Sequence, residues 1–185
     1  MLIKSDHIIN QKTLLIKGEY ALHGMLCTRV MVENGSFLVN KSPSQLLEGT
    51  LNYIGFNLKG AVTGARFILR KTKKCPIILN PYQGVCMFPI TSPHKMDNIW
   101  FNPMQIKHTR ALDRKTEVLF YNGHSIIVDS RLKAFNDKIT SAKQLIDISS
   151  QNGNSSSPNP HESKKGYQLI KDSTGHYNFD LLTTP

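Results

Sequence analysis

The feature that most constrains the fold is an Asn-Gly pair that occurs twice, each time between two runs of β-prone residues. The first, Asn34-Gly35, lies within CTRVMVENGSFLVNK, and the second, Asn122-Gly123, lies within TEVLFYNGHSIIVD. Asn-Gly is the preferred pair for a type I′ turn, because both central positions need a positive φ. The two segments therefore predict two β-hairpins closed by type I′ turns.

Further strands are predicted between these two hairpins. Residues 76–80 and 85–89 are apolar runs on either side of the turn Pro81-Tyr82-Gln83-Gly84, which is typical of a third hairpin. Residues 99–101 begin another apolar run, which continues after Pro103 over residues 104–112. The domain is therefore predicted to be dominated by antiparallel sheet.

One helix is predicted after each outer hairpin. Ser42 can cap a helix, with Pro43 at the first helical position and Gln45 three residues after the cap. The second helix follows residues 129–130, and its apolar residues recur at helical spacing: Leu132, Phe135, Ile139, Ala142 and Leu145. Its basic residues are expected on a solvent face: Arg131, Lys133, Lys138 and Lys143. The predicted fold class is α+β, mainly antiparallel sheet with a few flanking helices.

The chain carries an excess of positive charge, with 23 Lys and Arg against 13 Asp and Glu and a formal net charge of +10. No acidic residue occurs between Glu48 and Asp97, an interval with seven cations: Lys59, Arg66, Arg70, Lys71, Lys73, Lys74 and Lys95. A second basic group includes only Asp113 as a counter-charge: Lys107, His108, Arg110, Arg114 and Lys115. This pattern favours nucleic acid or an anionic membrane as partner. A generally basic, solvated surface is the alternative.

Several features argue against a membrane partner. Residues 1–12 lack the apolar core of a signal peptide, and no segment approaches the roughly 18 apolar residues of a spanning helix. The basic residues fall mostly on segments predicted as strand or turn, so no basic anchor helix is expected. The cysteines are odd in number and widely spaced, which fits reduced thiols: Cys27, Cys75 and Cys86. We therefore expect a cytoplasmic protein.

No set of residues predicts catalysis or metal binding. The sequence has no GxSxG, Walker or HExxH motif, and Gly55, Gly60 and Gly64 lack the GxGxxG spacing. His23 and Cys27 lie four residues apart, which fits a buried Cys beside a surface His better than a zinc site. We expect no enzyme activity, no catalytic residues, no metal and no cofactor.

The composition changes near residue 149. Residues 150–166 are polar and rich in Ser, Asn and Pro, which predicts a flexible linker after a domain at 1–149. Residues 167–185 regain apolar and aromatic side chains, and this tail segment either docks on the domain or binds a partner.

Five short motifs follow one another in the centre of the chain. They are NYIGFNLKG at 52–60, KCPIILNP at 74–81, MFPITS at 87–92, NIWFN at 98–102 and EVLFYNGHSII at 117–127. In this order and at these distances they resemble the ComK family of competence transcription factors, over about residues 20–148. Cys75 stands where the family has the first Pro of Lys-Pro-Pro-Ile, and Ile90 stands where it has the Thr of Phe-Pro-Thr. The tail departs most from the family pattern.

The resemblance implies a nucleoid-associated activator of DNA-uptake genes. It implies binding to paired A/T-rich boxes of double-stranded DNA, mainly through the minor groove, by dimers that assemble into tetramers. It also implies RNA polymerase and a proteolytic adaptor as partners, although the predicted linker interrupts the C-terminal region that contacts the adaptor in the family. The narrow A/T minor groove has a strong negative potential that attracts Arg and Lys, so a basic chain is compatible with this function.

Eight basic residues are the candidate DNA contacts. Arg66 and Arg70 are the candidates for minor-groove insertion, because a guanidinium costs less to desolvate than an ammonium. The candidates for phosphate contact are Lys59, Lys71, Lys73 and Lys74, and those of second rank are Arg110 and Arg114. The expected core aromatics are Tyr53, Phe88 and Trp100.

Two other functions stay open at this point. A protein that binds RNA or single strands would need exposed aromatic side chains on a strand face. A degenerate family member with an altered C-terminus would fold but would no longer activate transcription.

Overall fold

The computed structural model describes residues 3–21, 24–92, 95–153 and 167–181. They belong to two units, residues 1–153 and 154–185. The described strands of the first unit are β1 (Ile3–Lys4), β2 (Thr13–Tyr20), β3 (Leu26–Val32), β4 (Gly35–Val39), β5 (Ile77–Asn80), β6 (Val85–Pro89), β7 (Ile99–Phe101), β8 (Ile106–Leu112), β9 (Lys115–Phe120) and β10 (Ser125–Val128). Its helices are α1 (Pro43–Tyr53), α2 (Leu58–Leu69) and α3 (Leu132–Gly153), and a short 3₁₀ helix spans Pro103–Gln105.

The strands of the first unit form two sheets. The larger sheet has the order β1-β4-β3-β2-β7-β6-β5, and the smaller one has the order β10-β9-β8. The β1–β4 pair is parallel, whereas the other described pairs are antiparallel. The predicted α+β class with mainly antiparallel sheet is confirmed.

The larger sheet is covered on both faces, and β6, which lies between β7 and the edge strand β5, is fully buried. Cys86 and Phe88 lie in one apolar layer with Phe135 of α3, while Val85 and Met87 lie in another layer with α1. In the first layer the ring of Phe135 lies 5.6 Å from Phe88 and packs edge-on against it. Because successive side chains of β6 point to opposite faces of the sheet, the strand contributes to two apolar cores, one under α1 and one under α3.

The expected core aromatics are confirmed at two of three positions. Phe88 and Trp100 are buried, but Tyr53 is 74% exposed, so its placement in the core was wrong. Tyr53 is the last residue of α1 and lies about 200° around the helix from the buried Leu51. The cap of α1 is as predicted, because the Ser42 hydroxyl accepts the Gln45 N–H and the Gln45 side chain accepts the Ser42 N–H.

The two Asn-Gly hairpins are confirmed, but their predicted type I′ turns are wrong. Val32 pairs with Gly35, which opens β4 at φ 137°, so the loop is Glu33-Asn34. In the second hairpin the Gly123 N–H donates to the Phe120 carbonyl at 3.0 Å, and Gly123 takes a left-handed φ of 87°. That loop has three residues and ends in a left-handed glycine. In both turns only the glycine takes the positive φ.

Helix α2 was not predicted, and the placement of its basic residues on strand or turn was therefore wrong. Asn57 caps the helix, since its Oδ1 accepts the Gly60 N–H at 2.7 Å. Glycines within α2, at Gly60 and Gly64, lower its helix propensity and obscured its apolar residues at helical spacing: Leu58, Ala61, Val62, Ala65, Ile68 and Leu69. Residues of α2 belong to both apolar layers, and the helix packs beside the edge strand β5.

In the second unit, β11 (Tyr167–Lys171) and β12 (Tyr177–Leu181) form an antiparallel hairpin. Its turn is held by Asp172, whose carboxylate accepts the Thr174 and His176 N–H groups. The predicted linker overlaps the end of α3, and its residues 154–166 lie outside the described residues, as do 182–185 and His23. The boundaries of the domain, linker and tail stay predictions. Within the described ranges no helix is both long and apolar enough to span a bilayer.

Candidate nucleic-acid interface

Three of the predicted DNA contacts form a stripe along the outer side of α2. Lys59 and Arg66 are seven residues apart, which places them on one line of the helix, and Arg70 follows as the left-handed residue that caps its C-terminus. The buried residues Ala65 and Leu69 mark the side of the helix that packs on the rest of the fold. All three cations are exposed, and none forms an ion pair with any described residue. The stripe therefore presents positive charge that no carboxylate neutralises.

Phe67 lies beside this stripe, and its exposure to solvent is unusual for a large apolar side chain. It is 85% exposed, although burial of a Phe normally stabilises a fold by about 2 kcal/mol. Gly64, one turn before it, has no side chain, and the space around its Cα is open. Helix α2 therefore offers an exposed aromatic group flanked by guanidinium groups.

The loop after α2 holds lysines in a constrained backbone. Arg70 and Lys74 both have left-handed φ values, 50° and 52°, a conformation that costs a residue other than glycine about 1–2 kcal/mol. Cys75 is buried, and its thiol donates to the Lys71 carbonyl at 3.5 Å. Burial also raises the pKa of the Cys75 thiol, so the thiol stays a neutral donor. The Lys71 ammonium donates to the Ser141 hydroxyl at 2.5 Å and fixes the loop to α3.

This loop and α3 enclose a cavity of about 250 Å³, which we call the lysine cavity. Its residues are Lys71, Lys73, Lys74, Pro76, Phe88, Ala134, Asp137, Lys138 and Ser141. It brings together three of the predicted phosphate contacts and adds a fourth lysine from α3.

Lys138 is that fourth lysine, and its expected position on a solvent face was wrong. It is half-buried because it lies on the same side of α3 as Phe135, Ala142 and Leu145. Its ammonium donates to the Ile90 carbonyl. Burial, together with the charge of Lys74, lowers the pKa of Lys138 to about 8.

The two second-rank candidates lie elsewhere, on the β8–β9 hairpin of the smaller sheet. Arg110 is opposite Glu117 in the register, and its guanidinium lies 2.6 Å from that carboxylate. Arg114 lies in the two-residue loop with Asp113, which has a φ of 51°. No hydrogen bond or ion pair of the described residues joins this hairpin to α2 or to the lysine cavity.

Exposed aromatic side chains of the described residues lie mainly on helices and turns. Tyr53 and Phe67 are on helices, and Tyr82 and Tyr121 are in turns. The described part of the chain contains no cluster of three or more His, Cys, Asp or Glu residues that could hold a metal ion.

Comparison with known proteins gives one family. The family model described as "ComK protein" matches residues 4–153, which is most of the chain. The "Competence transcription factor" of Bacillus subtilis (strain 168) is 23% identical over 132 residues, which cover 71% of this chain and 68% of that protein. No solved structure matches the chain. The order of motifs, the confirmed hairpins and the family match agree, and the chain belongs to the ComK family.

Proposed function

We propose that the chain is a competence transcription factor that binds double-stranded DNA through α2 and the lysine loop after it. The observation that carries this proposal is the stripe of Lys59, Arg66 and Arg70, which is exposed and has no carboxylate partner among the described residues. Such a surface suits a duplex, whose phosphates provide a dense line of negative charge. The relative in Bacillus subtilis is named as a competence transcription factor, which supports the same function.

In this proposal Arg66 and Arg70 enter the minor groove of A/T-rich boxes, while lysines contact the phosphates. A guanidinium suits the strong negative potential of a narrow A/T groove. An α-helix, however, is about 10–12 Å wide and the minor groove is only about 6 Å wide. The groove must therefore open where α2 approaches it.

Phe67 supplies a means of opening the groove. Minor-groove proteins insert an apolar side chain between base steps, which unstacks them and kinks the duplex away from the protein. Phe67 is exposed and adjoins the two arginines, so one approach of α2 can place all three side chains. Pyrimidine–purine steps such as TA kink most easily, and this adds to the preference for A/T-rich boxes.

Activation requires more than one such contact. An A/T-rich groove distinguishes A·T from G·C and little else, so a single contact gives modest specificity. Paired boxes bound by a dimer or tetramer would add discrimination through avidity. RNA polymerase is the partner at the promoter, a proteolytic adaptor is a further partner, and the site of action is the cytoplasmic nucleoid.

The single-strand alternative receives less support. It needs aromatic rings on a strand face, whereas Phe88, Trp100 and Phe101 on the described strands are buried. Two exposed tyrosines on the described strands, Tyr20 of β2 and Tyr177 of β12, lie at strand ends.

The test is fluorescence anisotropy of labelled DNA with the full chain across a salt series. The probes are an A/T-box duplex, a G/C-rich duplex of equal length, and the single strands of each. We expect tighter binding to the A/T duplex and a linear fall of log affinity with log salt, with a slope of about 0.9 per phosphate contact. Equal and weak binding to both duplexes, or a preference for the single strands, would overturn the proposal.

A further inference from the structure

We propose that the lysine cavity binds one phosphate group of the DNA backbone, with Lys138 as its innermost cation. This inference rests on the proposed function and adds a site that is independent of the arginine stripe. The ligand is a tetrahedral phosphate group with anionic oxygens, the chemistry that a DNA backbone and a free phosphate ion share. The experiment below separates these two sources.

The charges of the cavity call for an anion. Four lysines line it, Lys71, Lys73, Lys74 and Lys138, against a single acidic residue, Asp137. None of the four is within ion-pairing distance of a described carboxylate. A partly buried positive charge without a counter-charge is costly, and a phosphate with several acceptor oxygens would offset that cost.

Two of the four lysines of the cavity are held by hydrogen bonds before any ligand binds. Lys71 is fixed through its hydrogen bond to Ser141, whose own hydroxyl donates to the Asp137 carbonyl at 2.7 Å. Lys138 is fixed through the Ile90 carbonyl. The left-handed Arg70 and Lys74 bracket the loop, and backbone strain of this kind persists where the surrounding structure over-determines it. Fixed donors lose little conformational entropy when an anion binds.

The position of the cavity favours a DNA phosphate. Lys71 follows Arg70 directly, so the cavity begins where the stripe on α2 ends. A duplex held against α2 passes this edge, and a neighbouring phosphate can enter the cavity without a rearrangement of the protein. The contact carries no sequence information, because every nucleotide has the same phosphate.

The decisive variant is Lys138→Met, which keeps an apolar stem and removes the charge. We expect its affinity for the A/T duplex and the G/C duplex to fall by the same factor, and its salt slope to become shallower by about 0.9. The matched control is Lys143→Met, on the exposed side of the same helix, which should leave both quantities unchanged. The emission of the buried Trp100 and the urea midpoint report whether each variant is folded. If Lys138→Met does not fold, Lys74→Gln tests the same cavity from the exposed loop.

The pH dependence supplies a second readout. The charged residues that line the cavity together with Lys138 are Lys71, Lys73, Lys74 and Asp137, and the charge of Lys74 acts on Lys138 directly. Because burial lowers the pKa of Lys138 to about 8, this ammonium loses its charge between about pH 7 and 9. A bound phosphate favours the charged form, so wild-type affinity should fall over this range. In Lys138→Met the part of this loss of affinity that comes from deprotonation of Lys138 should be absent.

The outcomes separate this site from the proposed function. If Lys138→Met and Lys143→Met have the same salt slope and the same pH profile of DNA binding, the cavity is not a phosphate site. The proposed function still holds in that case, provided that the wild type prefers the A/T duplex. If the wild type binds both duplexes equally and Lys138→Met has a shallower salt slope, the phosphate site in the lysine cavity is supported and the proposed A/T preference is wrong. If inorganic phosphate at matched ionic strength stabilises the wild type but not Lys138→Met, and the DNA slopes agree, the ligand is a free ion and the backbone assignment is overturned.

Discussion

The two basic groups of the sequence differ in the structure more than their composition suggests. On the β8–β9 hairpin, Arg110 faces Glu117 across the strands and their charged groups are 2.6 Å apart. On α2, Arg66 and Arg70 lie on an exposed face without a carboxylate partner in the described part of the chain. A run of cations in a sequence therefore gives a positive surface only where the fold does not bring an acid opposite it.

The two regions also differ in shape. The stripe on α2 adjoins an exposed ring, Phe67, and leads into the lysine cavity. The hairpin presents Arg114 in a two-residue loop, after the partly exposed Leu112. The first region can combine groove insertion with phosphate contact, whereas the second offers a tip that suits one peripheral contact. We expect the energy of DNA binding to lie mainly in the first region.

The largest effect is expected from Arg66→Ala/Arg70→Ala. An arginine that contacts bases contributes about 1–3 kcal/mol, so the double variant should lose at least about 2 kcal/mol of binding free energy to the A/T duplex. Arg110→Ala/Arg114→Ala removes the same charge from the hairpin and should lose less than about 1 kcal/mol, because one of its charges is already paired. Anisotropy with both duplexes measures the two losses.

A lysine version of the first variant separates shape from charge. Arg66→Lys/Arg70→Lys should keep the salt slope, because its charge is unchanged, but should lose part of the A/T preference, because an ammonium lacks the planar fork of a guanidinium. Equal losses from the α2 and hairpin variants would contradict the comparison. All variants should retain the wild-type urea midpoint, since these side chains are exposed.

A smaller loss is expected from Phe67→Ala. Without the ring α2 cannot wedge a base step open, so affinity for the A/T duplex should fall by about 1–2 kcal/mol while the salt slope stays the same. Phe67→Leu should retain most of the binding, because leucine also serves as a wedge. Energy transfer between dyes at the two ends of the duplex measures the bend.

Tyr82→Ala is the matched control, since Tyr82 in the β5–β6 turn is also 85% exposed. It should change neither the affinity nor the bend. A bend that persists in Phe67→Ala would show that the groove is opened by other means.

Local patterns predicted the frame of the fold, because hairpins and caps depend on few neighbouring residues. The hairpins at Asn34-Gly35 and Asn122-Gly123 and the cap at Ser42 needed no knowledge of distant contacts. Helix α2 was missed because its glycines conceal a regular apolar spacing, although Asn57 is a cap that the sequence displays.

The candidate site was predicted only in part. The sequence selected Arg66 and Arg70 by charge, and the structure places the first in the last turn of α2 and the second at its C-cap. The burial of Lys138 could have been predicted from helical geometry. Viewed down the axis of α3, Lys138 lies between Leu145 and Ala142, on the apolar side of the helix. The exposure of Phe67 could not have been predicted, because no local sequence pattern distinguishes an aromatic ring in a core from one in solvent. The Arg110–Glu117 pair likewise depends on strand register, which the loop Asp113-Arg114 sets.

The smallest effect is expected from a variant that frees Arg110 of the β8–β9 hairpin from its ion pair with Glu117. Glu117→Gln keeps the shape of the side chain and removes the carboxylate that holds Arg110, so affinity for both duplexes should rise by about 0.5 kcal/mol. Glu19→Gln is the matched control, because Glu19 has the same exposed fraction, 24%, and also pairs with an arginine. A rise in Glu117→Gln alone would mean that DNA reaches the hairpin and that Glu117 limits the contact. Equal rises would reflect net charge only, and no rise in either variant would confine the interface to α2 and the lysine cavity.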